Sequence, residues 1–179
     1  MKNFETKNLE IRKFKKEDVE SVHKNLATEK QLADCLGYNI HKTISETEVM
    51  VESFINESEM NEFVWAIADK ATSEVIGFIN VFERSDVNKV CNIKFGIALN
   101  KVNSGYMEEA LKLVLDYLLN EKGYNVVIAP FFDGCEKITE LKCKILENVG
   151  MTKEAVLHKR KINTKTGLPE NRIIYSIIK

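Results

Sequence analysis

Proline is almost missing from this chain: two in 179 residues, beside eight glycines, three histidines and one tryptophan. With so few breakers there is no Pro/Gly-rich linker to mark a domain boundary, and no repeat or low-complexity tract is present. The expectation is one domain over residues 1–179, long enough to bury a core unaided. Cysteine is sparse and scattered. Cys35, Cys91, Cys135 and Cys143 make no C-x-x-C pair and have no histidine close in sequence, so no metal cluster is expected and the thiols read as reduced fillers near the core. No apolar run approaches the ~18–20 residues that span a bilayer. Met1-Lys2-Asn3-Phe4-Glu5 has no apolar leader stretch, which makes the cytoplasm the expected compartment. Excess charge is absent too. A net charge of −1 gives no reason to expect nucleic acid or an anionic membrane as partner.

What is present is ordinary for a globular protein, 44% hydrophobic and 30% charged. Leu9-Glu10-Ile11-Arg12-Lys13-Phe14 alternates like a half-buried strand, and Lys16-Glu17-Asp18 leads into Val19, Val22 and Leu26 at helical spacing. Ser45 and Glu48 form an S-x-x-E capping box for a second helix with Val49, Val51, Phe54 and Ile55 on its apolar side. Residues 63–68 and 75–82 read as a hairpin around a polar turn, and residues 90–99 as a further strand. The clearest helix opens at Ser104-Gly105-Tyr106, carries Met107, Ala110, Leu111, Val114, Leu115 and Leu118 on one face, and ends at Gly123. Residues 126–129 form an apolar strand stopped by Pro130, and Asp133 and Glu136 cap a helix that ends at Gly150. Two strands, near 153–161 and 172–178, close the chain around a turn at Asn163-Thr164-Lys165-Thr166-Gly167. The order β-α-α-β-β-β-α-β-α-β-β predicts a mixed α/β fold with a mostly antiparallel sheet flanked by helices.

Chemistry concentrates at the strand–loop–helix unit from residue 90 to the helix at Ser104. A glycine at a helix start permits close approach of a ligand, and the first-turn amides with the positive end of the helix dipole suit a phosphate. The plain alternative is a glycine that only allows a tight turn. Neither G-x-G-x-x-G nor G-x-x-x-x-G-K-[ST] occurs.

The whole chain resembles the GNAT superfamily, in particular the branch that acetylates N-terminal amines of ribosomal proteins and related small substrates. Glu5-Thr6-Lys7-Asn8-Leu9-Glu10-Ile11-Arg12-Lys13-Phe14 is similar to that branch's opening E-T-x-R-L-x-L-R-x-F, and Glu17-Asp18 follow. The resemblance continues at Phe63-Val64-Trp65-Ala66-Ile67 with Ile76-Gly77, and at Gly105-Tyr106 with Glu109-Ala110-Leu111. It ends with Leu146-Glu147-Asn148-Val149-Gly150-Met151 and Ile174-Tyr175-Ser176-Ile177. It implies transfer of an acetyl group from acetyl-CoA, as cosubstrate, to a primary amine on a peptide terminus or a small molecule. By position the pyrophosphate would meet Asn103, Ser104, Gly105, Tyr106 and Met107, and the acetyl carbonyl the backbone of Ile97, Ala98 and Leu99, as donors to a developing oxyanion.

The departures are specific. The family's Q/R-x-x-G-x-G/A reads Val102-Asn103-Ser104-Gly105-Tyr106-Met107 here, and Lys94 stands where many relatives carry a carboxylate. The family's helical Asn and Ser fall at Thr139 and Lys142 counting back from Gly150, or the Asn at Cys135 counting forward from the strand end. Thr139 would offer a hydroxyl and Lys142 would meet a CoA phosphate, the alternative for each being an exposed helix residue. Glu83, near its strand end, is the carboxylate expected to do proton transfer. Trp65 reads as core, and His23, His41 and His158 as solvated surface. A rival reading follows from the altered positions: a GNAT-fold binding or regulatory protein without catalysis. A homodimer through the C-terminal strands is a further expectation, since an alternating edge strand can pair with its own copy.

Overall fold

The strands are β1 (Phe4–Glu5), β2 (Leu9–Arg12), β3 (Val64–Asp69), β4 (Val75–Ser85), β5 (Val90–Ile97), β6 (Val126–Phe132), β7 (Thr152–Ile162) and β8 (Pro169–Ile178), with β3 and the first half of β4 buried on both faces and β6 alternating. In the computed structural model they form one sheet, ordered β1-β2-β3-β4-β5-β6-β8-β7. The structure describes residues 2–61, 63–164 and 166–179, with the side chains of residues 35 and 58–61 left aside. Every strand pair is antiparallel except β5–β6. The helices are α1 (Val19–Val22), α2 (Lys30–Leu36), α3 (Ile44–Asn61), α4 (Tyr106–Asp116) and α5 (Glu136–Asn148). The mixed, mostly antiparallel α/β fold read from the sequence is the fold found.

Cross-strand register sorts the side chains by face. Trp65, Ile79 and Phe95 are directly opposite one another and share one face. The end of the α4 helix covers it, Tyr117 meeting Trp65 edge-on at 6.1 Å. α5 lies over the same face further along, where Tyr175 of β8 donates to Glu147 Oε1 at 2.8 Å. The other face, with Phe78 and Asn80, receives Phe54 and Glu57 of α3. Trp65 is fully buried, as expected.

Several local expectations are corrected. The α3 cap is Thr43 with Glu46, not Ser45 with Glu48: the Thr43 amide donates to Glu46 Oε2 at 3.1 Å and the Glu46 amide to Thr43 Oγ1 at 3.4 Å. Two overlapping [ST]-x-x-E patterns stand in the sequence, and the earlier one wins. Starting the helix there turns Val49 outward (68% exposed) and Val51 into the core. α2, which has no apolar periodicity long enough to announce it, was not anticipated. Asp133 caps no helix; its carboxylate accepts from the amide and Nδ2 of Asn171, both at 2.7 Å.

His23 and His41 are not freely solvated. Their Nδ1 atoms lie 2.7 and 3.0 Å from the buried hydroxyl of Thr47, tying α1's continuation and the α2–α3 connection to α3. Burial lowers the His41 pKa, Glu46 opposes that shift, and His23 adds to it. The unfolded chain therefore takes up its proton first as pH falls below about 6.5, and stability declines from there down to the lowered folded value. Denaturant titrations at about pH 7.5 and about pH 5.5 are expected to show this loss, and His41→Asn, whose amide can occupy the Nδ1 position, should remove it. An unaltered pH slope in His41→Asn would assign the loss to other groups.

Candidate active site

The parallel pair β5–β6 is held only at Val90↔Val126, Cys91↔Val127 and Asn92↔Ile128. Beyond these residues the two strands part and leave a gap. Pro130 does not stop β6, which runs on to Phe132. The reason is directional. The Asn125 carbonyl accepts from the Lys179 amide and the Asp133 amide donates to Asn171 O, both on the β8 side, so the peptide groups of the even-numbered residues between them point toward β5. The missing N–H of Pro130 thus falls on the open gap, where no ladder partner is lost.

The same alternation tells which β5 groups face the gap. The Ala98 amide donates to Ile76 O at 2.7 Å, on the β4 side. The peptide groups of Phe95 and Ile97 therefore turn to the gap. Of the three residues expected to meet a carbonyl, Ile97 presents its amide, Ala98 has already used its own, and Leu99 begins the 3-10 turn Leu99–Lys101.

That turn delivers the chain to α4. Lys101 Nζ donates to the buried Asp69 carboxylate at 2.8 Å and lies 5.6 Å from the Tyr106 ring, which pins the loop to the β3–β4 turn. The hydrogen bond with Lys101 holds the Asp69 pKa down and raises that of Lys101. Ser104 Oγ donates to Lys101 O at 2.6 Å and accepts from the Tyr106 amide at 3.2 Å. Gly105 is left-handed, φ 76°, with nothing within 4 Å of where a Cβ would stand, so the glycine serves the turn and the space above it is open. Met107 is wholly buried in the core and does not cover the loop. The first-turn amides of Met107 and Glu108 have no partner among the described residues.

Inside the gap lies Lys142. It is 8% exposed, with Nζ 5.9 Å from the Phe95 ring and 5.4 Å from the Phe131 ring, and it has no ion pair or hydrogen bond among the described residues. One turn earlier, Thr139 Oγ1 is buried with no partner. Lys142 therefore stands in the gap and not beside the loop. A groove of ≈ 340 Å³ runs between the loop and α5, lined by Asn103 and by Lys137 and Lys144, two cations that sequence reasoning did not single out. It adjoins the gap at Leu99, Val102, Ile138 and Leu141. The enclosed space within the gap is only ≈ 20 Å³, because Leu32 and Leu36 of α2 line it from the other face.

Beyond Leu36 a second cavity, ≈ 350 Å³, opens between α2, α3 and the sheet. Gly96 lies close by: a Cβ there would stand 2.8 Å from the Phe78 ring and 3.0 Å from Leu36. The one carboxylate among its described lining residues is Glu57. Glu57 Oε2 accepts from Asn80 Nδ2 at 3.1 Å and Oε1 from Ser53 Oγ at 3.5 Å. Glu57 also lines an adjoining hollow with Glu83 and Lys94. Glu83 is exposed, accepts from Asn92 Nδ2, and stands five residues along β4 from Phe78, about 17 Å at ~3.4 Å per residue. Asn80, the partner of Glu57, is two residues from Phe78, about 7 Å on the same scale. The sequence alone does not single out Glu57, because α3 also carries Glu46, Glu48, Glu52 and Glu59. Its spacing of three and four residues from Phe54 and Ser53 is the only signal that could have marked it.

A sheet that splits between two parallel strands, with a glycine turn and helix N-terminus at the mouth, is the frame of an acyltransferase. The acetyltransferase (GNAT) domain family matches residues 8–152, and the chain belongs to it. No curated protein matches the sequence. Among solved structures, an acetyltransferase (GNAT family) from Bacillus anthracis superposes with a TM-score of 0.82 at 19% identity, covering 99% of this chain and 98% of that one. The ribosomal-protein-S5-alanine acetyltransferase of Vibrio fischeri gives 0.81 at 17% identity, over 99% and 97%. The spermidine N-acetyltransferase of Vibrio cholerae, in complex with CoA and spermine, gives 0.75 at 16% identity, over 97% and 96%. At these identities the structures share the fold. Among the described residues no helix is long and apolar enough to cross a membrane.

Proposed function

We propose that residues 1–179 work as one N-acetyltransferase domain that moves an acetyl group from acetyl-CoA to a primary amine. The observation that carries this reading is the β5–β6 gap, into which the Ile97 amide and the unpaired Lys142 ammonium both turn. Polar groups along the track that have no partner among the described residues fit such a cosubstrate: amides at the α4 N-terminus, the Thr139 hydroxyl and the Lys142 cation. Bound acetyl-CoA would supply a thioester carbonyl open to attack by an amine.

The chain's own residues divide the work. The amides of Gly105, Met107 and Glu108, with Asn103 and the positive end of α4, face the pyrophosphate, and Lys137 and Lys144 add charge along the groove. Ser104 and Tyr106 hold the loop in shape. Ile97 N–H donates to the carbonyl oxygen as negative charge grows there. Lys142 Nζ places positive charge, and a proton, at the departing sulphur. Glu57 removes a proton from the incoming amine, which is largely protonated at neutral pH.

A second reading, a binding protein without transfer, has one observation in its favour: ≈ 20 Å³ within the gap is too little for a pantetheine arm until Leu32 and Leu36 move. Calorimetry with acetyl-CoA separates the two. Micromolar binding followed by amine-dependent release of free thiol supports transfer. No heat at millimolar ligand decides for the binding protein. Lys142→Met sharpens the result. Removing an uncompensated buried charge should leave the melting temperature equal or higher, while thiol release falls at least tenfold, about 1.4 kcal/mol in the barrier. A variant that loses stability and keeps its rate would make Lys142 a structural residue.

A further inference from the structure

The cavity beside Glu57 has a composition that narrows the amine. Its described walls are largely apolar, with Tyr38, Met50, Phe54 and Phe78 contributing three aromatic rings and a thioether. The Tyr38 hydroxyl is already spent on Leu26 O at 2.6 Å, and its ring stands against His41 at 6.0 Å between centroids. Ser53 and Glu57 are the polar groups left on the α3 side, and Ser53 donates to Glu57 itself. Lys94, at the boundary with the adjoining hollow, makes no ion pair with Glu57.

We infer that the acceptor is a small monoamine carried on one aromatic ring or a compact apolar body, bound with its ammonium on Glu57 and its body among Tyr38, Met50, Phe54 and Phe78. The inference rests on the acetyl-transfer reading for the direction in which the amine faces, toward Gly96. Volume, charge and hydrogen bonding agree on the class. A space of ≈ 350 Å³ has room for a ring with a short amine arm, and charge and hydrogen bonding decide among amines of that size. One carboxylate matches one cation. A polyamine would bring further ammonium groups to a cavity whose only other charge among the described lining residues is the Lys94 cation, so that only an arm long enough to pass Lys94 into the adjoining hollow would meet a second carboxylate, Glu83. A peptide terminus would bring amide groups to walls with almost no free donor or acceptor. An arylalkyl body instead gains apolar burial, and its ammonium lies within reach of ring faces as well as of Glu57.

The test is a set of calorimetric titrations of the full chain with 2-phenylethylamine, spermidine and an alanine-led tripeptide, with acetyl-CoA titrated into parallel samples. The expected result is at least tenfold tighter binding of 2-phenylethylamine than of either competitor, reduced at least tenfold in Glu57→Gln and in Met50→Lys. Circular dichroism of both variants should stay native. Spermidine or the peptide binding as tightly as the arylalkylamine would overturn the inference, as would arylalkylamine binding that ignores both substitutions. The acetyl-CoA arm keeps the two ideas apart. Amine preference without acetyl-CoA binding upholds this site and removes the transfer reading. Acetyl-CoA binding without the amine preference leaves transfer standing and removes this acceptor class.

Discussion

Glu57→Gln is expected to lower kcat/KM for amine acetylation by about 10²–10⁴-fold, the range usual for loss of a positioned general base. Acetyl-CoA affinity should stay within about twofold, since Glu57 lies on the amine side of Leu36 and the cosubstrate groups lie on the other. The fold should hold as well, because the glutamine carbonyl still accepts from Asn80. The decisive measurement is a pH–rate profile: the wild-type acid limb should vanish in Glu57→Gln and return in Glu57→Asp at lower rate. Glu83→Gln, measured alongside, settles which carboxylate works. A large loss there with a silent Glu57→Gln would return the role to Glu83.

That the sequence points to Glu83 and leaves Glu57, the base proposed above, unmarked is a matter of what period and position encode. Strand period places Glu83 near the end of β4, and a carboxylate at a strand end is a reasonable base. Which helix residue crosses over to meet that strand depends on how α3 docks, and docking is set by Phe54 against Phe78 and by Asn80, on separate elements. The succession of strands from β2 to β8 along the chain and the α4 helix were legible because β5, the glycine turn and the apolar stripe Met107–Ala110–Leu111–Val114 are local signals. Lys142 was read as a partner for a CoA phosphate or as an exposed helix residue. Its burial follows from the parting of β5 and β6, a three-pair register that no local pattern announces. Pro130 misled for the same reason. A proline forbids a ladder bond only where a ladder exists, and here it faces the gap. Context also changes the departures in the loop. Met107 stands where the family has a small residue, yet its side chain is in the core and its amide has no partner among the described residues.

Asp18→Ala is expected to cost about 3–5 kcal/mol, the loss typical of breaking a buried pair, with Arg12 left to the partly exposed Glu10 carboxylate that accepts from its Nε at 3.1 Å. Arg12 and Asp18 are 6% and 4% exposed, and the guanidinium meets the carboxylate in a fork, Nη1 to Oδ2 and Nη2 to Oδ1, both at 2.8 Å. Asp18 also accepts from the Lys15 amide at 2.8 Å, so one carboxylate closes the turn from β2 into α1. The hydrogen bond to Asp18 raises the Arg12 pKa, and once Asp18 is gone the guanidinium still keeps its proton, as arginine does in proteins generally. For a chain of this size the loss corresponds to a melting temperature lower by about 6–20 °C, at ~2–4 °C per kcal/mol. Arg12→Leu with Asp18→Leu should be milder than Asp18→Ala alone, because no charge is stranded. Thermal melts of the three proteins test this, and a double variant as unstable as the single one would mean that the pair's hydrogen bonds, not its charges, hold the turn. The consequence reaches the site. α1 continues into His23–Ala27, whose Leu26 carbonyl fixes Tyr38 in the amine cavity and whose Asn25 ties to Val75 O at 3.0 Å. Below its melting point, Asp18→Ala should therefore raise the amine KM more than it raises the acetyl-CoA Kd.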